Sequence, residues 1–202
     1  MVTVSTLRST YHHGDLRATL LATVDDVLAE RGLEGLSLRE VSRRARVSHA
    51  AAYKHFADKA ALLDVYADAA FFALEAALEA ARAGAASPRD ALIRTGVAYV
   101  VFAWHRPAAF RVMFRPGVSG CRAFDAEGAA ERARAVLVAT VAAAQAAGAV
   151  PPGPLETQVL ACWSLVHGLA TLVNDGPSAA SFSSAVAVAS LARDVIATIL
   201  IP

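Results

Sequence analysis

The segment SLREVSRRARVSHAAAYKHFADK, residues 37–59, decides the fold: it reads as two short helices joined by a tight turn. Ser37 is a favourable N-cap, and Glu40 stands three residues on, at capping-box spacing. Leu38, Val41 and Ala45 then form one apolar stripe, with Arg39, Arg43 and Arg44 off it. Ser48 is a second N-cap. The helix it opens places Ala52 and Phe56 on one side, four residues apart and core-facing. Ala50 and Lys54 point the other way, flanked by His49 and Tyr53. A short helix that shows small residues, a cation, an imidazole and a phenol to the outside suits a DNA major groove.

Upstream, Leu16, Leu20, Val24, Val27 and Leu28 recur at helical spacing and predict a helix from about Asp15 to Arg31. Gly32 is its C-cap signal, and Leu33 and Leu36 pack the link into the helix at Ser37. Residues 1–13, with Arg8, Tyr11, His12 and His13, read as a flexible arm. Three helices to residue 56 make a module too small to be very stable alone. The predicted division is therefore a DNA-binding domain over 1–58 and a larger body over 59–202.

The 202 residues suffice for one large or two small domains. Hydrophobic residues make up 56% and the mean hydropathy is +0.44, but much of that is alanine, the best helix former. No sustained alternation of apolar and polar residues occurs, so the fold class is all-α. The net charge of +1 excludes a polycation. Residues 1–60 nevertheless hold nine Lys/Arg against seven Asp/Glu, and four of the six histidines, a small basic excess at one end. Two cysteines, Cys121 and Cys162, make no disulfide framework. The opening residues are polar, with no apolar signal core, and a cytoplasmic protein is expected.

Downstream, Asp58 can cap a long helix over about 59–82. Its stripe runs through Leu62, Tyr66, Ala69 or Ala70, Ala73 and Ala77, and Gly84 ends it. Ser87-Pro88 restarts a helix with an N-cap and a proline at the first position, predicted over 88–103. Residues 107–114 suggest a short aromatic-rich helix, 115–124 a loop, and 125–147 another helix, broken at Gly148–Pro154. The last two helices, 155–174 and 181–200, are apolar on most faces. Residues 157–174 carry no formal charge but include Gln158, Ser164, His167 and Asn174, so a buried interface helix fits them better than a membrane span. Such helices must be buried, and a partner subunit is the simplest cover.

The chain resembles the TetR family of transcriptional regulators. The resemblance rests on Ser37-Leu38-Arg39-Glu40-Val41, on Val47-Ser48, and on Tyr53-Lys54-His55-Phe56 followed by Lys59. These match the family's hydrophobic opening, its turn, its Y-x-H-F close and the lysine that opens the fourth helix. The opening Tyr11-His12-His13-Gly14-Asp15-Leu16 is similar to one branch of the family, whose C-terminal domain has a Trp, His, Gly signature matched here by Trp163, His167 and Gly168. The resemblance implies a helix-turn-helix domain followed by a helical ligand-binding and dimerisation domain. It implies a homodimer that binds palindromic double-stranded operator DNA, binds a small-molecule inducer, and pairs through its last two helices. The expected outcome is a repressor released by its inducer. Two positions depart from the pattern. Arg46 stands where the family usually has glycine, and at positive φ it would cost roughly 1 kcal/mol while placing an extra cation near phosphates. Ala60 replaces a frequent glutamate.

The expected DNA contacts are Ser37, Arg46, Ser48, His49, Ala50, Tyr53, Lys54, His55 and Lys59. His49, Ala50 and Lys54 suit base edges, the Ala50 methyl a thymine methyl. Tyr53, Lys59 and Ser37 suit phosphates, which position without reading sequence; His55 suits either contact or packing. An ordinary solvated helix is the plain alternative. In the body, core packing is the default for aromatics, and ligand sites are mostly apolar with a few polar groups. The candidate lining is Tyr99, Phe102, Trp104, His105, Phe110, Met113, Trp163 and His167. Cys162 and His167, five apart on one helix, face apart. No nucleophile, base and orienter recur together, the histidines lack metal-site spacing, and no phosphate loop occurs. No enzyme activity, cofactor, metal or membrane partner is expected. The rival readings are an all-α adaptor that has lost DNA binding and an enzyme hidden in the C-terminal cavity.

Overall fold

The computed structural model describes residues 13–115, 128–176 and 179–201, and every regular element among them is helical, as expected. The arm, apart from His13, lies outside the described residues; so do Cys121, most of the loop over 115–124 and the start of the helix over 125–147. The chain divides into two compact units, one extending to Tyr66 and the other starting at Ala67.

The first unit holds α1 (His13–Arg31), α2 (Leu38–Arg44), α3 (His49–Tyr53) and the start of α4 (Lys59–Ala83). Each of the last three begins where its sequence caps it. Ser37 Oγ accepts from Glu40 N at 3.1 Å, Ser48 Oγ from Ala51 N at 3.1 Å and Asp58 Oδ1 from Ala61 N at 2.8 Å. Gly32 closes α1 at φ 62°. The α1 stripe is buried along its whole length, together with Leu36, Leu38, Val41, Ala52, Phe56, Leu62, Leu63 and Tyr66. Ala45 is only half-buried, because it serves as the C-cap of α2. The Tyr66 hydroxyl donates to Asp25, which fastens α4 to α1.

In the second unit α4 continues, with α5 (Pro88–His105), α6 (Pro107–Met113), α7 (Ala129–Ala146), α8 (Leu155–Asp175) and α9 (Ala185–Ala197), the last preceded by a 3-10 turn at Ala179–Ser181. The α4 stripe differs from the expected one. Ala70, Phe71, Leu74 and Leu78 are buried, and Ala73 and Ala77 only half-buried. Larger side chains remove more apolar area from water, so they set the helix rotation. The last helix also begins later than expected, at Ala185, where Ser184 Oγ caps Ala187 N.

Helix α5 is the hub: α6, α7, α8 and α9 all pack on it. Its Gly96 explains the closeness. A Cβ there would lie 2.6 Å from Ile196 Cδ1 and 3.3 Å from Val166 Cγ1, both on buried side chains. At one end Leu92 joins Val141, Ala144, Val159, Cys162 and Leu200 in a common core. The end of the chain is held there by Ile201 N to Ala149 O at 3.0 Å and by Arg89 to Ile201 O at 2.8 Å. Arg132 ties α7 to α4, its guanidinium 4.3 Å from the Phe72 ring centroid and 3.1 Å from Glu75. Gly96→Leu is expected to destabilise the chain by about 1–2 kcal/mol, overpacking outweighing the gain in helix propensity. A fall in the urea midpoint measures it; an unchanged midpoint would remove Gly96 as the constraint.

Candidate DNA-reading surface and aromatic ligand site

The turn between α2 and α3 sets the first surface. Ala45 N bonds Val41 O, Arg46 N bonds Arg43 O, and Val47 N reaches back to Ser42 O at 3.0 Å. To make that reversal Arg46 adopts φ 56°, the one positive φ of a non-glycine residue among those described. Burial of Ala52 and Phe56 then fixes the rotation of α3. Ser48, His49, Ala50, Tyr53 and Lys54 all face solvent, and the His49 and Tyr53 rings lie 5.7 Å apart, one turn from each other. His55 is half-buried, with its ring 6.5 Å from Phe56.

Charge on this face is sorted by pairing. Glu40 does not complete its capping box; Arg43 donates to its carboxylate at 2.7 and 2.9 Å and Arg44 at 2.8 Å. These guanidinium hydrogen bonds hold the Glu40 carboxyl down at about 2, so it stays ionised. Arg44 also reaches Glu30, at 2.5 Å, and its own pKa is raised by these two carboxylates. Lys59 donates to Leu33 O at 2.6 Å, linking the start of α4 to the α1–α2 connection. Exposed Arg39, Arg46 and Lys54 are left without an ion-pair partner among the described residues. Their charge is therefore uncompensated. Ser37 and Ser48 accept through Oγ as caps, which leaves each hydroxyl proton to donate outward.

A second site lies within the other unit. Tyr99 of α5, Phe110 and Phe114 at α6, and Trp163 and His167 of α8 form one ring cluster. Phe114 and His167 are 4.7 Å apart, Phe110 and His167 5.2 Å, Trp163 and His167 5.6 Å, and Tyr99 and Phe110 5.9 Å. Phe71 of α4 meets Phe114 edge-on at 5.5 Å. Tyr99 Oη and His167 Nδ1 share a hydrogen bond of 2.9 Å, and Trp163 Nε1 donates to Tyr99 Oη at 3.4 Å. Burial raises the Tyr99 phenol and lowers His167, so both are neutral near pH 7.

Of the expected lining, Tyr99, Phe110, Trp163 and His167 come together. Met113 is fully buried beside them in sequence. Trp104 instead meets exposed His105 edge-on at 5.0 Å, and Phe102 lies under Arg106 at 5.9 Å. Phe71 and Phe114 were outside the expected set. The Phe110–Phe114 spacing of four residues signals one helical face; nothing in the sequence signals Phe71. Asn174 is taken up by Ala103 O at 3.0 Å. Cys162 sits in the core, its thiol raised by burial. Among the described residues no His, Cys, Asp and Glu group is placed to hold a metal ion, and no helix is long and apolar enough to cross a membrane.

A short helix presented by a tight turn, with an uncompensated cationic and aromatic face, defines a helix-turn-helix DNA-binding protein. The chain belongs to the TetR family of transcriptional regulators, and its N-terminal domain is the family's DNA-binding domain. Residues 20–66 match the profile described as bacterial regulatory proteins, tetR family, and residues 92–195 match the tetracyclin repressor-like C-terminal domain. A protein of unknown function from Rhodococcus sp. RHA1 is 35% identical, with 96% of this chain and 99% of that one covered at a TM-score of 0.76. A tetR-family regulatory protein from Rhodococcus RHA1 is 23% identical over 92% and 96%, TM-score 0.72. The regulator PfmR from Thermus thermophilus is 21% identical over 91% and 95%, TM-score 0.70. The last two share the fold.

Arg46→Gly is expected to stabilise the first unit by about 0.5–1 kcal/mol, relief of the left-handed strain exceeding the added chain entropy of glycine. Slower hydrogen exchange of the α2 and α3 amides reads this; both tryptophans lie in the second unit. Faster exchange would mean that the Arg46 side chain contributes more than its backbone costs.

Proposed function

We propose that the chain is a dimeric repressor, released from a palindromic operator by a small-molecule inducer, acting in the cytoplasm without catalysis. Residues 1–58 serve DNA binding and 59–202 serve ligand binding and dimerisation. The observation that carries this reading is the face of α3: Tyr53 is 53% exposed, and Lys54 and Arg46 beside it carry charge that no neighbour among the described residues compensates. His49, Ala50 and Lys54 read bases. Ser37, Arg46, Ser48, Tyr53 and Lys59 hold phosphates, Lys59 with the two protons that Leu33 does not take. His55 packs and braces the helix. Helix α4 runs through both units and is the lever: the inducer shifts the equilibrium by its differential affinity for the two states. Trp163, His167 and Gly168 support a reading of the chain as one of the family branch with a Trp, His, Gly signature.

The experiment is a mobility shift with the region upstream of the chain's own gene against random DNA at about 150 mM salt. Tighter binding to the upstream region is expected, and equal affinity overturns the reading. Replacing Tyr53 and Lys54 together by alanine is expected to weaken binding about tenfold or more. Unchanged binding would remove α3 as the reader.

The dimer is assigned to α8 and α9. Leu160, Ser164, Gly168 and Leu172 recur every four residues on one face of α8. Leu160 is 57% and Leu172 58% exposed, and Val186 of α9 is 80% exposed. A Cβ at Gly168 meets nothing within 4 Å, so the subunit itself leaves that side open. Gly168→Leu is therefore expected to leave the subunit folded, or more stable by about 0.8 kcal/mol through helix propensity. The same change is expected to weaken the dimer at least about tenfold, by blocking close approach of the partner. Sedimentation reads the outcome, and an unaltered dimer would move the interface elsewhere.

A further inference from the structure

The ring cluster in the second unit carries a proton order that restricts what it can bind. The Trp163 indole N–H only donates, and it donates to Tyr99 Oη. Tyr99 is buried and keeps its own proton, which needs an acceptor; His167 Nδ1, at 2.9 Å, is the one in reach. Nδ1 of His167 is thereby the acceptor nitrogen. In a neutral imidazole the remaining proton then sits on Nε2. That Nε2 takes no hydrogen-bond partner among the described residues. No buried side-chain nitrogen or oxygen there lacks a partner, so Nε2 is open to approach. The result is one oriented donor set among Phe110, Phe114 and Trp163.

The cluster holds no ionised group. Of the cations beside these rings in sequence, Arg111 pairs with Asp175 and Arg115 is exposed to solvent. An anion entering among the rings would be desolvated without a cation to meet it, and burying an unpaired charge is costly. Phe114, Trp163 and His167 are only half-buried, so the rings are not sealed from outside.

We propose that this cluster binds an uncharged, flat, largely aromatic small molecule carrying one hydrogen-bond acceptor, which His167 Nε2 reads while Trp163 and Tyr99 hold the imidazole in that tautomer. The proposal rests on the ligand-responsive reading above and names the chemistry of its inducer. His167 is the specificity group. Tyr99 and Trp163 are positioning residues that act through it.

The test uses the full chain carrying Trp104→Phe, so that Trp163 is the sole emitter. Three probes are titrated: acetonaphthone, which has a carbonyl acceptor, ethylnaphthalene, which has none, and naphthoate, an anion of similar shape. Acetonaphthone is expected to quench Trp163 with about three- to tenfold tighter affinity than ethylnaphthalene, the worth of one neutral hydrogen bond. Naphthoate is expected to bind most weakly. His167→Phe keeps an aromatic ring and removes the donor, so the ketone should lose its advantage while the hydrocarbon still binds. Tyr99→Phe frees the tautomer and should narrow the advantage without abolishing hydrocarbon binding; it also serves if His167→Phe fails to fold. The proposal is overturned if naphthoate binds tightest, if ketone and hydrocarbon bind alike, if the advantage survives His167→Phe, or if no probe quenches. The mobility shift run alongside separates the two readings. DNA binding without probe binding sinks this proposal alone, and probe binding without DNA binding sinks the regulator.

Discussion

The reversal at Ala45–Val47 constrains everything the first unit offers to solvent. Three residues must turn the chain so that Val47 N returns to Ser42 O, and only a left-handed residue in the middle permits it. An arginine there is strained, since its Cβ crowds the neighbouring carbonyl. Strain of this kind persists where surrounding structure over-determines it. Here the two serine caps and the burial of Ala52 and Phe56 do so. The same turn carries a guanidinium to the face that shows Lys54 and Tyr53, so conformational cost and electrostatic reach meet at one position.

Neighbouring cations have a different fate. Arg43 and Arg44 lie in the same run of sequence as Arg46, yet Glu40 and Glu30 take them up. The Arg44–Glu30 pair braces α2 against α1, while the pairs of both arginines with Glu40 lie within α2. What solvent meets is the charge that no carboxylate reaches. A formal net charge of +1 is thus a poor guide to the surface, since position decides which charges survive pairing.

The second unit rests on close approach. Gly96 lets α5 lie against side chains of α8 and α9, and with α5 at the centre Tyr99 comes within hydrogen-bond range of His167. One glycine and one phenol, three residues apart, bring a packing constraint and a polar relay to the same helix. Among Phe71, Phe110 and Phe114 this relay is the polar feature, and burial keeps both its titratable members neutral. Under the proposed ligand reading, such a site would select by shape and by a single hydrogen bond rather than by charge.

Much of the fold is legible in the residues alone. Periodicity gives the helices, and Ser37, Ser48, Asp58, Gly32 and Ser87-Pro88 give their ends, because caps act on the backbone a few residues away. The outward face of α3 follows from Ala52 and Phe56, since side-chain direction on a helix is fixed by spacing. Where competing apolar residues share a helix, spacing is not enough: Leu74 and Leu78 displaced Ala73 and Ala77 because larger surfaces gain more from burial. The aromatic site was legible in part. Tyr99, Phe110, Trp163 and His167 stand out by type, but Phe71 joins them across more than twenty residues of chain, and Trp104 turns away to His105. The sequence by itself determined the helices, their caps and the polar face of α3, all of them local. Tertiary structure alone decided that Lys59 serves Leu33, that Arg44 is spent on Glu30, and that Tyr99 meets His167. Those contacts join residues far apart in the chain, and only packing determines which of them meet.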